Sequence, residues 1–188
     1  MPFQGRTVGL FKPHAAGGIV SDIAKEGPKV RRRTRLRNKE AEALRERLVQ
    51  ALGGAEVWPE GAAVETGEFL ERTVVVVDNQ VHGLLDGEAP FLTVRGLLHY
   101  RPQARFVTVD MGAVKFVANG ADVMAPGIVE ADPALQEGDW CWVRDERNKQ
   151  PLAVGRALVP GPAMARGRGK AVKSLHHLGD KLWNVQEE

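Results

Sequence analysis

The stretch VDMGAVKFVANGADVMAPGIV, residues 109–129, holds a complete helix-turn-strand unit. Asp110 suits a helix N-cap, because its carboxylate can accept from an otherwise unpaired amide of the first turn. Val114, Val117, Ala118 and Ala121 recur at three- and four-residue steps, so one buried stripe is expected on a helix from about Met111 to Asn119. Lys115 and Asn119 lie four apart on a neighbouring face, and Gly120 supplies a left-handed stop. Val123 to Val129 then reads as strand interrupted at Pro126 and Gly127. Phe116 and Met124 carry apolar side chains at core-like spacing and read as core.

Downstream, short strands are expected at Trp140–Val143 after Gly138 and at Leu152–Leu158 after a polar turn, with a close at Leu182 and Trp183. With a strand at Phe106–Val109, these surround one helix, the pattern of a small, mainly β barrel. Upstream, Ala41, Leu44, Leu48 and Leu52 mark an amphipathic helix that Asn38 can cap and that Gly53 with Gly54 ends. The β-branched run Thr73–Asp78 and the segment Val81–Asp86, separated by Asn79 and Gln80, form a hairpin. Pro90 opens a helical segment over Phe91–Leu98, with Val94, Leu97 and Leu98 on one face. His99 to Arg105 reads as a linker. The organisation expected is an irregular extension over residues 1–28, an α+β domain over 29–102 and a mainly β pseudobarrel over 103–188.

Charge is sorted along the chain although the formal net charge is only +2. Lys29, Arg31, Arg32, Arg33, Arg35 and Arg37 form a tract without an acid, expected to gather guanidinium groups at the entrance of the first helix. A second basic tract holds Arg166, Arg168, Lys170, Lys173 and Lys181 with His176 and His177, opposed only by Asp180. Between them Glu56, Glu60, Glu65, Glu68, Glu71, Asp78, Asp86 and Glu88 stand against Arg72 alone, a face that should repel a polyanion.

Several chemistries are set aside. Gly167-Arg168-Gly169-Lys170 imitates a phosphate-binding loop, but Ala171 stands where magnesium coordination needs Ser or Thr and Met164 where the first glycine belongs. As a dinucleotide fingerprint the same glycines fail because Val172 replaces the third. His176 and His177, adjacent on a strand, point to opposite faces and cannot share a metal; one reads as a core group and the other as able to stack on a base. Cys141 is the single cysteine, flanked by Trp140 and Trp142, and is expected to be a buried, inert thiol. No nucleophile motif or paired carboxylate is evident, so no catalytic residue, cofactor or metal is expected. No run approaches the roughly 18 apolar residues of a spanning helix, and the amino terminus lacks a secretory core, so no membrane role and a cytoplasmic location are expected.

Residues 109–129, together with GRGKAVKSLHHLGDKLW at 167–183, resemble the two ends of a PUA domain, the module named after pseudouridine synthases and archaeosine transglycosylases. The likeness is closer to the malignant T cell amplified sequence family and its archaeal relatives, through Asp110, Gly112, Ala113 to Val117, Gly120, Ala121, Met124, Pro126 and Gly127, then Gly167, Gly169, His176, Leu178, Asp180, Leu182 and Trp183. The Asn38 helix, the hairpin near Val81 and PFLTVRGLL at 90–98 resemble that family's pre-PUA domain, whereas residues 1–28 find no counterpart. Lys170 and Lys173 are departures that make this copy more basic.

The resemblance implies a non-enzymatic RNA-binding protein. The expected contacts are Lys115, Asn119, Gly120, Ala121, Met124, Pro126, Gly127, Arg166, Arg168, Lys170, Lys173 and His177, with Arg31, Arg32, Arg33, Arg35 and Arg37 as a secondary patch. Gly120 would let backbone amides approach phosphate, and Lys115 would neutralise one. The implied ligand is transfer RNA or ribosomal RNA, in translation initiation, reinitiation or ribosome recycling. The small ribosomal subunit and a protein resembling density-regulated protein are the implied partners. Alternatives are an accessory module presenting RNA to a modification enzyme, or a protein-interaction adaptor using the acidic hairpin.

Overall fold

The computed structural model describes residues 27–165 and 167–185. The expected extension therefore falls almost wholly outside the described residues, as does Arg166. The amino-terminal part is a five-stranded antiparallel meander in the order β1(Arg31–Arg35), β2(Val64–Phe69), β3(Arg72–Val77), β4(Gln80–Asp86), β5(Ala89–Leu92), with α1(Asn38–Ala51) and α2(Val94–Tyr100) packed on it. A mixed six-stranded sheet follows. It comprises β6(Phe106–Val109), β7(Val123–Met124), β8(Ile128–Ala131), β9(Trp140–Asp145), β10(Pro151–Ala157) and β11(Lys170–His177), in the order β7-β11-β10-β9-β6-β8, and β6 runs parallel to β9. α3(Met111–Ala118), a short 3-10 turn at Ala125–Gly127 and α4(Gly161–Met164) complete this near-barrel. An α+β part followed by a mainly β pseudobarrel is the class expected.

The hairpin is present, but its turn lies at Asp78-Asn79, where both residues have positive φ, 49° and 68°, matching the right-handed strand twist. Four expectations need correction. The first helix is capped at Arg37, with Asn38 already helical, and the Glu40 carboxylate reaches back to accept from the Arg37 amide at 3.0 Å. The basic tract is edge strand β1 and gathers no guanidinium cluster at that helix, because Arg32 pairs with Glu68 at 3.1 Å and Arg33 with Glu65 at 2.6 Å across to β2. Pro90 lies within strand β5, which opens at Ala89, and opens no helix; the helix starts at Val94, where the Thr93 hydroxyl accepts from the Gly96 amide. The closing strand is β11, and Leu182 with Trp183 lies in the turn beyond it.

Three packed clusters follow from this topology. One fills the near-barrel around Val109, Val117, Ile128, Leu135, Val143 and Met164. A second joins the two sheets, bringing Leu44, Leu48, Trp58, Phe91 and Leu97 against Trp142 and Val154. The third lies on the other face of the meander, where Val74, Val76, Val81 and Leu84 are covered by Leu182 and Val185 from the carboxy-terminal turn. Burial on both faces explains why Val74 to Val77 is a continuous apolar run in an antiparallel sheet. Polar ties reinforce the seam: Arg156 pairs with Asp86 and lies 4.0 Å over the Trp140 ring, and Arg95 donates to the Trp183 carbonyl at 2.8 Å.

Candidate nucleic-acid interface

α3 is held at both ends by groups visible in its sequence. At its start the Asp110 carboxylate accepts from the Ala113 amide at 2.9 Å, while the Asp110 amide donates to the Gly127 carbonyl at 2.9 Å. Pro126 and Gly127 therefore shape the turn that carries β7 past the helix. At its end the chain leaves through Gly120 at φ +91°, and a Cβ built there would stand 2.6 Å from Nε2 of His177. The His177 ring is laid against this turn, with Nδ1 3.0 Å from the Ala118 carbonyl and 2.8 Å from the Leu178 carbonyl. Since both neighbours are acceptors, Nδ1 carries the proton, and His177 latches β11 to the end of α3. His176 points the other way, fully buried, with Nδ1 2.8 Å from the Asp180 carboxylate.

The surface of α3, β7 and β11 has an exposed cationic and an exposed apolar component. Lys115 and Asn119 are exposed on the helix, Ala121 on the turn after it, and Arg168, Lys170 and Lys173 on and before β11. Phe116 and Met124, which read as core, are 67% and 46% exposed, because the helix turns only Val117 fully inward and β7 is an edge strand. Ala121 likewise faces solvent and takes no part in the stripe assigned to it. Met124 is the cross-strand partner of Lys170, so an apolar side chain and an ammonium stand side by side on one edge.

Asp122 organises the lysines, and nothing in the sequence reading singled it out. Its carboxylate accepts from the Ser174 amide at 3.0 Å, from Nζ of Lys170 at 3.0 Å and from Nζ of Lys173 at 3.4 Å. Burial works to raise this carboxyl, but the Lys170 hydrogen bond, the Ser174 amide and the two lysine charges outweigh it and hold it below the usual carboxylate range. Two ammonium groups share one carboxylate, so the edge keeps a net positive charge. The signal was present in the acid of Gly120-Ala121-Asp122, one residue before β7, but only the β7–β11 pairing reveals its partners.

The acids between Glu56 and Glu88 do not form one repelling face. Glu65 and Glu68 are tied to β1, Asp86 to Arg156 and Glu88 to Arg47. Arg31, Arg35 and Arg37 are exposed on the amino-terminal edge, and among the described residues they show no ion pair. Cys141 is wholly buried, its Sγ 3.8 Å from the Gly155 carbonyl, and burial pushes its thiol up to about 12. Among the described residues no three His, Cys, Asp or Glu side chains are placed to hold a metal ion, and no helix is long and apolar enough to cross a membrane.

A helix with a glycine exit, α3, set on a mixed near-barrel sheet closed by β11, fits a PUA module, and the PUA domain family pattern matches residues 105–178. An uncharacterised protein of Methanocaldococcus jannaschii is 41% identical over 132 residues, covering 70% of this chain and 82% of that protein. Translation machinery-associated protein 20 of Saccharomyces cerevisiae is 34% identical over 100 residues, 49% of this chain and 55% of that protein. The crystal structure of a hypothetical protein from Pyrococcus horikoshii superposes with a TM-score of 0.74 at 34% identity, covering 81% of this chain and 98% of that one. The chain belongs to the PUA-domain family, in the group that includes the malignant T-cell-amplified sequence proteins.

Proposed function

We propose that the protein binds structured RNA, such as transfer RNA or ribosomal RNA, and performs no chemistry on it. The reading is carried by one observation: an exposed Met124 stands beside exposed Lys170 across the β7–β11 edge, and Lys115 and Phe116 are exposed together on α3. An aromatic face offers a stacking surface to an unpaired base, and ammonium groups beside it neutralise the attached phosphates. Asn119, Gly120, Ala121 and Arg168 complete the contact surface, Arg166 belongs to the same tract, and Pro126, Gly127 and His177 fix its shape. Arg31, Arg35 and Arg37 form a secondary patch; Arg32 and Arg33 contribute less because glutamates already engage them.

The yeast relative is named for the translation machinery. We extend that association to this chain, in initiation, reinitiation or ribosome recycling in the cytoplasm, with the small ribosomal subunit and a density-regulated-protein-like protein as partners. Residues 29–102 and 103–188 act as the two domains, joined by the apolar seam. The adaptor alternative is weakened because four of the eight carboxylates of the acidic segment are engaged by arginines within the molecule. Ultraviolet crosslinking to thiouridine-labelled transfer RNA, followed by peptide mapping, tests the reading. Crosslinks should fall on the peptides containing Phe116, Met124 and Lys170; crosslinks confined to the meander sheet would refute it.

A further inference from the structure

We propose that the cleft between the meander and the near-barrel is a second ligand site, built to take one nucleoside phosphate. A cavity of about 280 Å³ opens where the end of α2 meets the β9–β10 hairpin. Arg144 is in its floor, 8% exposed, stacked 3.8 Å over the Phe106 ring, with Nε donating to the Thr108 hydroxyl at 2.9 Å and Glu130 3.6 Å away. Arg101 and Lys149 stand at the mouth, both exposed and without an ion pair among the described residues. Gln103, Asn148 and Gln150 line the cavity together with apolar Leu97 and Pro151. No carboxylate lines the cavity, because Asp145, buried in the same hairpin, accepts the amides of Asn148 at 2.6 Å and Gln150 at 2.8 Å.

The backbone at the two mouth cations is the second observation. Arg101 has φ 50° and Lys149 φ 56°, both in the left-handed region that side chains disfavour. Arg101 is the C-cap of α2, a position where glycine is the usual residue. Packing alone would favour glycine at both places, yet both carry long cations that line one cavity from opposite units. Retained strain of this kind points to a ligand.

Size and chemistry name the class. At about 280 Å³ the volume lies just below the roughly 300–1,000 Å³ usual for small-ligand sites, which limits the ligand to about one nucleotide. Two cations without an ion pair among the described residues, Arg101 donating only to the Leu98 carbonyl at 3.4 Å, beside a fixed guanidinium suit a phosphate, amide side chains suit base edges, and the apolar walls suit a base face. The Glu146 carboxylate in this hairpin accepts the Met111 amide at 3.0 Å, so the cleft adjoins the start of α3, whereas the surface described above lies at its end. An eight-residue helix is about 12 Å long. The nucleoside phosphate is therefore either a free mononucleotide or one unit of a strand that also meets that surface, and only the second source rests on the RNA-binding reading.

The test titrates the full chain with adenosine monophosphate and with a short single-stranded oligoribonucleotide. Three double variants are compared with the parent: Arg101→Gly with Lys149→Gly, Arg101→Gln with Lys149→Gln, and, as an α3 control, Lys115→Glu with Phe116→Ala. The glycine pair should melt no lower than the parent, since it relieves strain, and both cleft pairs should lose about tenfold or more in affinity for the mononucleotide. The α3 control should bind the mononucleotide as the parent does. If only the oligonucleotide loses affinity in the cleft pairs, the strand is the source and the site stands. Parent-like affinity of both cleft pairs for both ligands overturns it, while failure of the RNA-binding reading shows separately, as undiminished oligonucleotide binding by the α3 control.

Discussion

At Gly120 a single added methyl group meets two obstacles, a φ of +91° that an L side chain disfavours and the His177 ring 2.6 Å from the new atom. Gly120→Ala should therefore destabilise the fold by about 1–3 kcal/mol, measured as a shift in denaturant midpoint at unchanged slope. Asp180 makes the amino-acid scale visible in pH. Burial alone would raise its carboxyl, but the hydrogen bond and charge of His176 and the amides of Trp183 and His177 lower it from 3.8 to about 2. A carboxyl lower in the folded than in the unfolded chain stabilises above the unfolded value, and that contribution is lost as pH falls from about 4 through 2. Asp180→Asn should cost about 1–2 kcal/mol at pH 7 and progressively less toward pH 2, followed by chemical denaturation. Cys141, with its thiol pushed up to about 12, should resist alkylation at pH 8 in the native chain and react once it is unfolded; rapid native labelling would contradict its placement. What could be read at this scale was local. Asp110, Gly120 and Cys141 behave as their neighbours in sequence imply, whereas the exposure of Phe116 and the role of Asp122 depend on strands far along the chain.

The elements divide in the same way. β3 and β4 were legible because a β-branched run and an apolar segment flank a short polar turn, and α1 because its leucines keep helical spacing. β1 and β2 escaped notice for a physical reason: RRRTR is an edge strand without an apolar face, and VETGEF carries the glutamates that pair with it. Proline at the first position of a helix and on an edge strand look alike in sequence, which is how β5 was read as helix. The turn after β11 matters as an element because Leu182, 6% exposed, covers the far face of the meander. Leu182→Ala should lower stability by about 2–3 kcal/mol and raise binding of an apolar dye, while leaving β11 and the α3 surface in place. Parent-like stability would mean that this turn does not hold the two sheets together.

Across the whole molecule, a chain that segregates its charges in sequence re-pairs part of them in space: four of the eight acids between Glu56 and Glu88 pair with arginines of β1, α1 and β10. Among the cations left unpaired or only half-neutralised, one group lies on the near-barrel, at Lys115, Arg168, Lys170 and Lys173, another on the outer edge of β1, and Arg101 and Lys149 flank the cleft. This distribution makes polyanion binding through the near-barrel surface the central claim. Its most direct measurement is the affinity for total transfer RNA across a salt series, comparing the parent with Lys115→Glu plus Phe116→Ala. The parent's logarithmic affinity should fall linearly with logarithmic salt; the variant should bind about 1–3 kcal/mol more weakly from lost stacking, with a salt slope smaller by about one or more, at stability within about 0.5 kcal/mol. A variant with parental affinity and parental slope would contradict the account.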